Sequence, residues 1–168
     1  MKKALIVIDM QNDFIDGALA NPMAQAIIPN LISYMGAFNG DIFATRDTHG
    51  RDYLNSAEGK RLPVVHCVHG THGWEIHPEI QRLLTEKNAK TIDKPTFGYL
   101  DWQILQDYDE IELVGTCTDI CVVSNALILK ATYPNANVKV RADLCAGTTT
   151  ENHEAALAVM RCCQVEIV

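Results

Sequence analysis

Ala4 to Ile8 is an unbroken apolar run rich in β-branched residues, closed by Asp9, and Ile111 to Val114, apolar but for Glu112, reads as a second buried strand ahead of Gly115 and Thr116. Short runs without polar alternation predict strands covered on both faces. Asp41–Thr45, Thr91–Lys94, Val138–Ala142 and Val165–Val168 read as further strands, and Val64–Val68 as one more short one. Between them, apolar residues recur at helical spacing. Ile27, Ile28, Leu31, Ile32 and Met35 share one face of a helix over Ala24–Ala37, which Pro29 is expected to break or restart. Helices are also predicted from His77-Pro78 to Lys87, and over Leu100–Gln106, Asp119–Thr132 and Glu151–Arg161. Gln11–Gly17, Pro95–Tyr99 and Ala146–Thr150 are expected loops, and polar Arg51–Leu62 a long irregular surface loop.

Strands alternating with helices imply right-handed βαβ units: an α/β fold with a parallel sheet and helices on both faces. The 168 residues suit a single domain, 1–168, with no repeat, linker or low-complexity segment. Apolar content of 48% and charged content of 21% are those of an ordinary globular protein. The net charge of −7, spread along the chain, argues against nucleic acid or an anionic membrane as partner. The apolar run after Lys2-Lys3 is too short for an export signal or a membrane span. Six cysteines in a chain this long, two of them adjacent at Cys162 and Cys163, do not make a secreted disulfide framework; a reducing cytoplasm is expected.

In parallel sheets ligands bind beyond the carboxyl ends of the strands. Asp9, Asp47 with His49, Lys94, and Cys121 each follow a predicted strand. Thr118 and Asp119 are good N-cap residues and would place Cys121 in the first turn of a helix, where the macrodipole lowers a thiol pKa. Asp9, Lys94 and Cys121 form a plausible nucleophilic set: the cation favours the thiolate, and the carboxylate accepts and returns the proton. Backbone N–H groups of Cys117 and Cys121 are candidate oxyanion donors. Asp47, His49 and His66 suit Zn²⁺, Mn²⁺ or Fe²⁺. The absence of G-x-G-x-x-G after the first strand excludes a dinucleotide cofactor, and the absence of G-x-S-x-G excludes an α/β-hydrolase serine.

Ile8-Asp9-Met-Gln11-Asn-Asp13-Phe14, Arg46-Asp47-Thr-His49, His66-Cys67-Val-His-Gly70-Thr71-His-Gly73, Lys94 with Phe97, and Gly115-Thr-Cys117-Thr-Asp119-Ile-Cys121-Val122 occur in this order. Together they resemble the isochorismatase-like cysteine hydrolases, a family that includes nicotinamidases. The resemblance implies a three-layer α-β-α fold whose six-stranded parallel sheet has the order 3-2-1-4-5-6. It implies the triad Asp9, Lys94 and Cys121, a divalent metal (Zn first) on Asp47, His49 and His66, and a cis peptide between Thr116 and Cys117. It also implies hydrolysis of a small primary amide through a thioester, with nicotinamide the leading substrate. Cys121 itself separates the chain from isochorismatases that lack a nucleophilic cysteine. Leu62-Pro63-Val64 stands where nicotinamidases often carry an aromatic residue. Phe14, Trp74 and Phe97 are the candidate substrate-binding aromatics. An N-carbamoyl or ureido amidase is the alternative of the same fold, and a thiol redox sensor or non-catalytic binding protein the alternative of another class. The expected partner is the amide substrate, with no nucleic acid and no membrane, and the expected assembly a homo-oligomer, dimer or tetramer.

Overall fold

A computed structural model describes residues Met1–Val168. Six strands, β1 (Lys3–Ile8), β2 (Asp41–Asp47), β3 (Lys90–Lys94), β4 (Glu110–Thr116), β5 (Asn137–Ala146) and β6 (Glu166–Ile167), form one sheet in the order β3-β2-β1-β4-β5-β6. Every neighbouring pair is parallel. The helices are α1 (Asn12–Ile15), α2 (Pro22–Ala37), α3 (Ala57–Arg61), α4 (Pro78–Glu86), α5 (Val123–Thr132) and α6 (Thr150–Cys162). None is long and apolar enough to cross a membrane.

Central β1 feeds both layers because successive side chains of a strand alternate faces. Ala4, Ile6 and Ile8 pack with Leu129, Leu157 and Met160 of α5 and α6. Leu5 and Val7 pack with Leu31 and Met35 of α2 and Ile80 and Leu84 of α4. The strand order reverses between β1 and β4, so loops leaving their carboxyl ends diverge and open a crevice there. Gly115, at φ +116, presses so closely on the Ile8 backbone that a Cβ would overlap it. That close approach brings the end of β4 against the end of β1.

Several predicted boundaries move, each for a local reason. Pro29 neither breaks nor restarts α2, which runs continuously from Pro22 to Ala37. Both Pro29 and Gln25, the residue whose carbonyl loses its helical partner, are on the exposed face, where water can replace the missing bond. Val64–Val68 makes no strand, only a single bridge between Val68 and His49. Cys67 turns to φ +46 and its N–H goes to the Asp13 carboxylate instead of a ladder. The Arg51–Leu62 stretch is not irregular: it holds a 3-10 turn at Tyr53–Asn55 and then α3, capped by Ser56 Oγ on the Gly59 N–H. Leu100–Gln106 shrinks to one turn over Gln103–Leu105, and the Trp102 carbonyl accepts from the Tyr133 hydroxyl as well as from Leu105 N–H. Gln11–Gly17 contains the short helix α1, and β5 runs on to Ala146.

Candidate active site

Asp9, directly after β1, takes a φ of +47 that turns its carboxylate under the sheet edge. There Oδ1 accepts from the Thr45 hydroxyl at 2.6 Å, and Oδ2 lies 2.6 Å from Lys94 Nζ. Lys94 ends β3, with its side chain fully buried, and its Nζ lies 3.8 Å from Cys121 Sγ. The carboxyl ends of β1 and β3 and the turn after β4 thus bring Asp9, Lys94 and Cys121 together at the crevice.

Cys121 does not sit in an ordinary first helical turn. After the cis peptide between Thr116 and Cys117, Thr118–Val122 forms a π-helical turn before α5 begins. Thr118 and Asp119 do not cap it. Thr118 Oγ1 lies 2.8 Å from His153 Nδ1, and the Asp119 carboxylate accepts from the N–H and hydroxyl of Thr148. These contacts tie the turn to α6 and to the loop between β5 and α6. Buried Asn125 fixes it from the other side: its amide donates to the Cys121 and Phe97 carbonyls, and its oxygen accepts from Tyr99 N–H.

The expected lowering of the Cys121 pKa does not occur. Burial and the Asp9 carboxylate push the thiol well above its ordinary range, and Lys94 only partly opposes them. Burial also raises Asp9, against the pull of Lys94. Lys94 itself rises, because Asp9, Cys121 and Asp47 outweigh its desolvation. Burial pushes the neighbouring Cys117 thiol up to about 11. The resting arrangement is a neutral thiol beside an ion pair whose carboxylate is more basic than usual.

Above these groups lies a cavity of about 330 Å³, bordered by Phe14, Leu62, His66, Phe97, Cys117 and Ile120 among others. Phe14 and Phe97 therefore share the cavity with Cys121. Trp74 does not: its indole N–H donates to Thr48 Oγ1, its ring stacks under the Arg46 guanidinium, and it borders a separate open groove with Gln81 and Arg82.

Asp47, His49, His66 and Glu58 present ligand atoms that all lie within 4.8 Å of one another. Gln11 fixes the first of them, its side chain bonding both the N–H and the carbonyl of Asp47. His66 donates Nδ1–H to the Val64 carbonyl at 2.7 Å, so its Nε2 faces Asp47 Oδ2 at 3.6 Å. An imidazole held in this way is set up as a metal ligand. Buried Asp47 Oδ1 has no hydrogen-bond partner. Although burial would raise the Asp47 carboxyl, His49, His66 and Lys94 hold it well below the usual carboxylate range. Two imidazoles and two carboxylates fit a divalent transition metal. Glu58 was absent from the ligand set expected from sequence. The signal for its helix was nevertheless present: Ser56 as N-cap, an acidic residue in the first turn and Lys60-Arg61 in the last.

The family profile of the isochorismatase domain matches residues 3–168. The chain is 31% identical over 184 residues to a nicotinamidase/pyrazinamidase of Mycobacterium tuberculosis, a match covering 99% of this chain and 98% of that one. The crystal structure of a Bacillus subtilis nicotinamidase superposes with a TM-score of 0.87 at 27% identity, covering 100% of both chains. A pyrazinamidase of Pyrococcus horikoshii in complex with zinc superposes with a TM-score of 0.81 at 28% identity, covering 100% of this chain and 99% of that one. With this sheet order and a profile match that runs from β1 to the last residue, the chain belongs to the isochorismatase domain family.

Proposed function

We propose that this protein is a cysteine amidohydrolase that converts nicotinamide to nicotinate and ammonia. The observation that carries the reading is buried Lys94 Nζ, held 2.6 Å from Asp9 Oδ2 and 3.8 Å from the Sγ of Cys121, which lines the cavity. Similarity to nicotinamidases supports the substrate.

Asp9 takes the proton of Cys121 while Lys94 balances the charge, and the sulfur attacks the amide carbon. The N–H groups of Cys117 and Cys121 receive the oxyanion. As the C–N bond breaks, Asp9 passes its proton to the leaving nitrogen, which departs as ammonia and leaves a thioester. Asp9 then deprotonates the attacking water, the C–S bond breaks, and the proton returns to the thiolate. A raised Asp9 suits both directions of transfer, because a more basic carboxylate lies closer in proton affinity to the thiol it serves. Phe14 and Phe97 offer the aromatic walls for a pyridine ring.

Asp47, His49, His66 and Glu58 would hold a divalent metal, zinc by the chemistry of the set and by likeness to the zinc complex of the pyrazinamidase. When bound, that metal supplies a Lewis-acid centre beside the cavity, suited to orienting a ring nitrogen. Six free cysteines, two of them exposed, support a reducing cytoplasmic setting. A homo-oligomer remains part of the proposal.

Ammonia release from nicotinamide, benzamide and an N-carbamoyl compound tests the reading. Nicotinamide is expected to react fastest. Turnover of the N-carbamoyl compound with none of nicotinamide would keep the amidase chemistry and overturn the substrate.

A further inference from the structure

Asp13 takes no part in the chemistry above, yet three loops converge on its carboxylate. Oδ2 accepts the Cys67 N–H at 2.7 Å and Oδ1 accepts the Ala18 N–H at 3.1 Å. Gly73 lies directly against the same group, so close that a Cβ there would overlap it.

We infer that Asp13 is a positioning residue for the metal cluster, fixing the Cys67 backbone, which follows His66 in the chain and accepts the backbone N–H of His49. The inference rests on the metal reading given above. Cys67 is fully buried and sits at φ +46, a left-handed conformation that a side chain disfavours. Its N–H is spent on Asp13, while its carbonyl accepts the His49 N–H at 2.9 Å. His66 is the residue before it, and His49 is gripped again where its carbonyl accepts from His69 N–H. One residue, Cys67, thus links the placement of His66 and His49, and Asp13 holds that residue by its N–H. Without the carboxylate, the Cys67 N–H is a buried donor with nothing to bond. The segment then relaxes toward negative φ and carries both imidazoles with it. Gly73 gives a second way to displace the carboxylate while leaving Asp13 in the chain.

The test is Zn²⁺ affinity, measured by competition with a chromophoric chelator, together with the visible spectrum of the Co²⁺-loaded protein. Asp13→Ala, Asp13→Asn and Gly73→Ala are compared with the parent, and thermal unfolding of the metal-free proteins is followed in parallel. Asp13→Ala and Gly73→Ala are expected to weaken Zn²⁺ about 10- to 100-fold, the loss usual for removing support behind a metal ligand. The Co²⁺ bands should shift, and alkylation of Cys121 should keep its parental rate. Asp13→Asn, which keeps one acceptor for Cys67, should fall between Ala and parent, and it carries the test if Asp13→Ala fails to fold. Parental Zn²⁺ affinity and Co²⁺ spectrum in the variants would overturn the inference, whatever their unfolding temperatures. A parent protein that binds no Zn²⁺ would instead remove the metal reading itself, and the inference with it.

Discussion

Two clusters of buried charge occupy opposite ends of the same sheet, and they are built differently. Toward the amino end, Glu110 meets Lys139 at 2.9 Å and Lys3 at 3.3 Å, and Glu112 meets Arg141 Nε and the Tyr34 hydroxyl, each at 2.8 Å. Each carboxylate there has a cation of its own, and Lys139 and Lys3 hold Glu110 below its ordinary range against its burial. At the carboxyl end, Asp9 has Lys94 as its one cation, at 2.6 Å, and shares it with Asp47 at 3.8 Å, beside an ionisable thiol and an open cavity. Asp9 is pushed up, not down. Buried charge by itself marks either cluster. Both clusters border a cavity, so incomplete neutralisation beside an ionisable thiol is what singles out the one equipped for proton transfer.

Substitutions at the two ends should therefore separate activity from stability. The largest effect is expected for Cys121→Ala, with turnover falling at least about 10⁴-fold and the unfolding temperature little changed. Steady-state ammonia release and calorimetry check both halves. Lys94→Met should lower kcat by about 10²- to 10³-fold. Because Lys94 is what opposes the upward shift of Cys121, alkylation of that thiol should begin at higher pH in the variant. An unchanged titration would mean that Lys94 does not act on the thiol.

The pH profile sharpens the contrast. Asp9 must be ionised to accept the proton, and its pKa is raised, so kcat/KM should be lost as pH falls through a value above the ordinary carboxylate pKa of about 4. Glu110 runs the other way. Its lowered pKa contributes stability that is present above the unfolded value and lost as pH falls through the folded one. Acid should thus stop turnover before it weakens the amino-end cluster, and paired kinetic and unfolding measurements across pH will show the order. Glu112→Gln should cost about 1–3 kcal/mol of stability by denaturant unfolding, with kcat/KM at the parental level. A loss of turnover there would break the distinction between the ends. The smallest effect is expected for Cys117→Ala, within a few-fold of parental activity, because only its backbone N–H is used.

The strands were the most legible part of the chain. Ala4–Ile8 is apolar without alternation because both of its faces are covered, and its two layers of partners follow from that. The positions of Asp9, Lys94 and Cys121 were legible as strand-end residues, since a parallel sheet delivers strand ends to one edge. Long-range polar contacts were not legible. Nothing in the local pattern says that Asp13 claims the Cys67 N–H and spoils a strand at Val64–Val68, or that Thr148 and His153 occupy Asp119 and Thr118. The depressed thiol pKa expected from a helix start was overridden by burial and by Asp9, neither of which has a local signature. Glu58 joins the imidazoles only because α3 folds back over them, and Trp74 leaves the cavity because Thr48 and Arg46 hold its ring elsewhere.

The central claim is a thioester on Cys121. Acid quenching of the protein during turnover of nicotinamide, followed by peptide mass spectrometry, tests it directly. The account predicts a nicotinoyl adduct on the peptide carrying Cys121, localised to that residue by fragmentation and absent from Cys121→Ala. An adduct on Cys117, or full turnover of nicotinamide by Cys121→Ala, would contradict it.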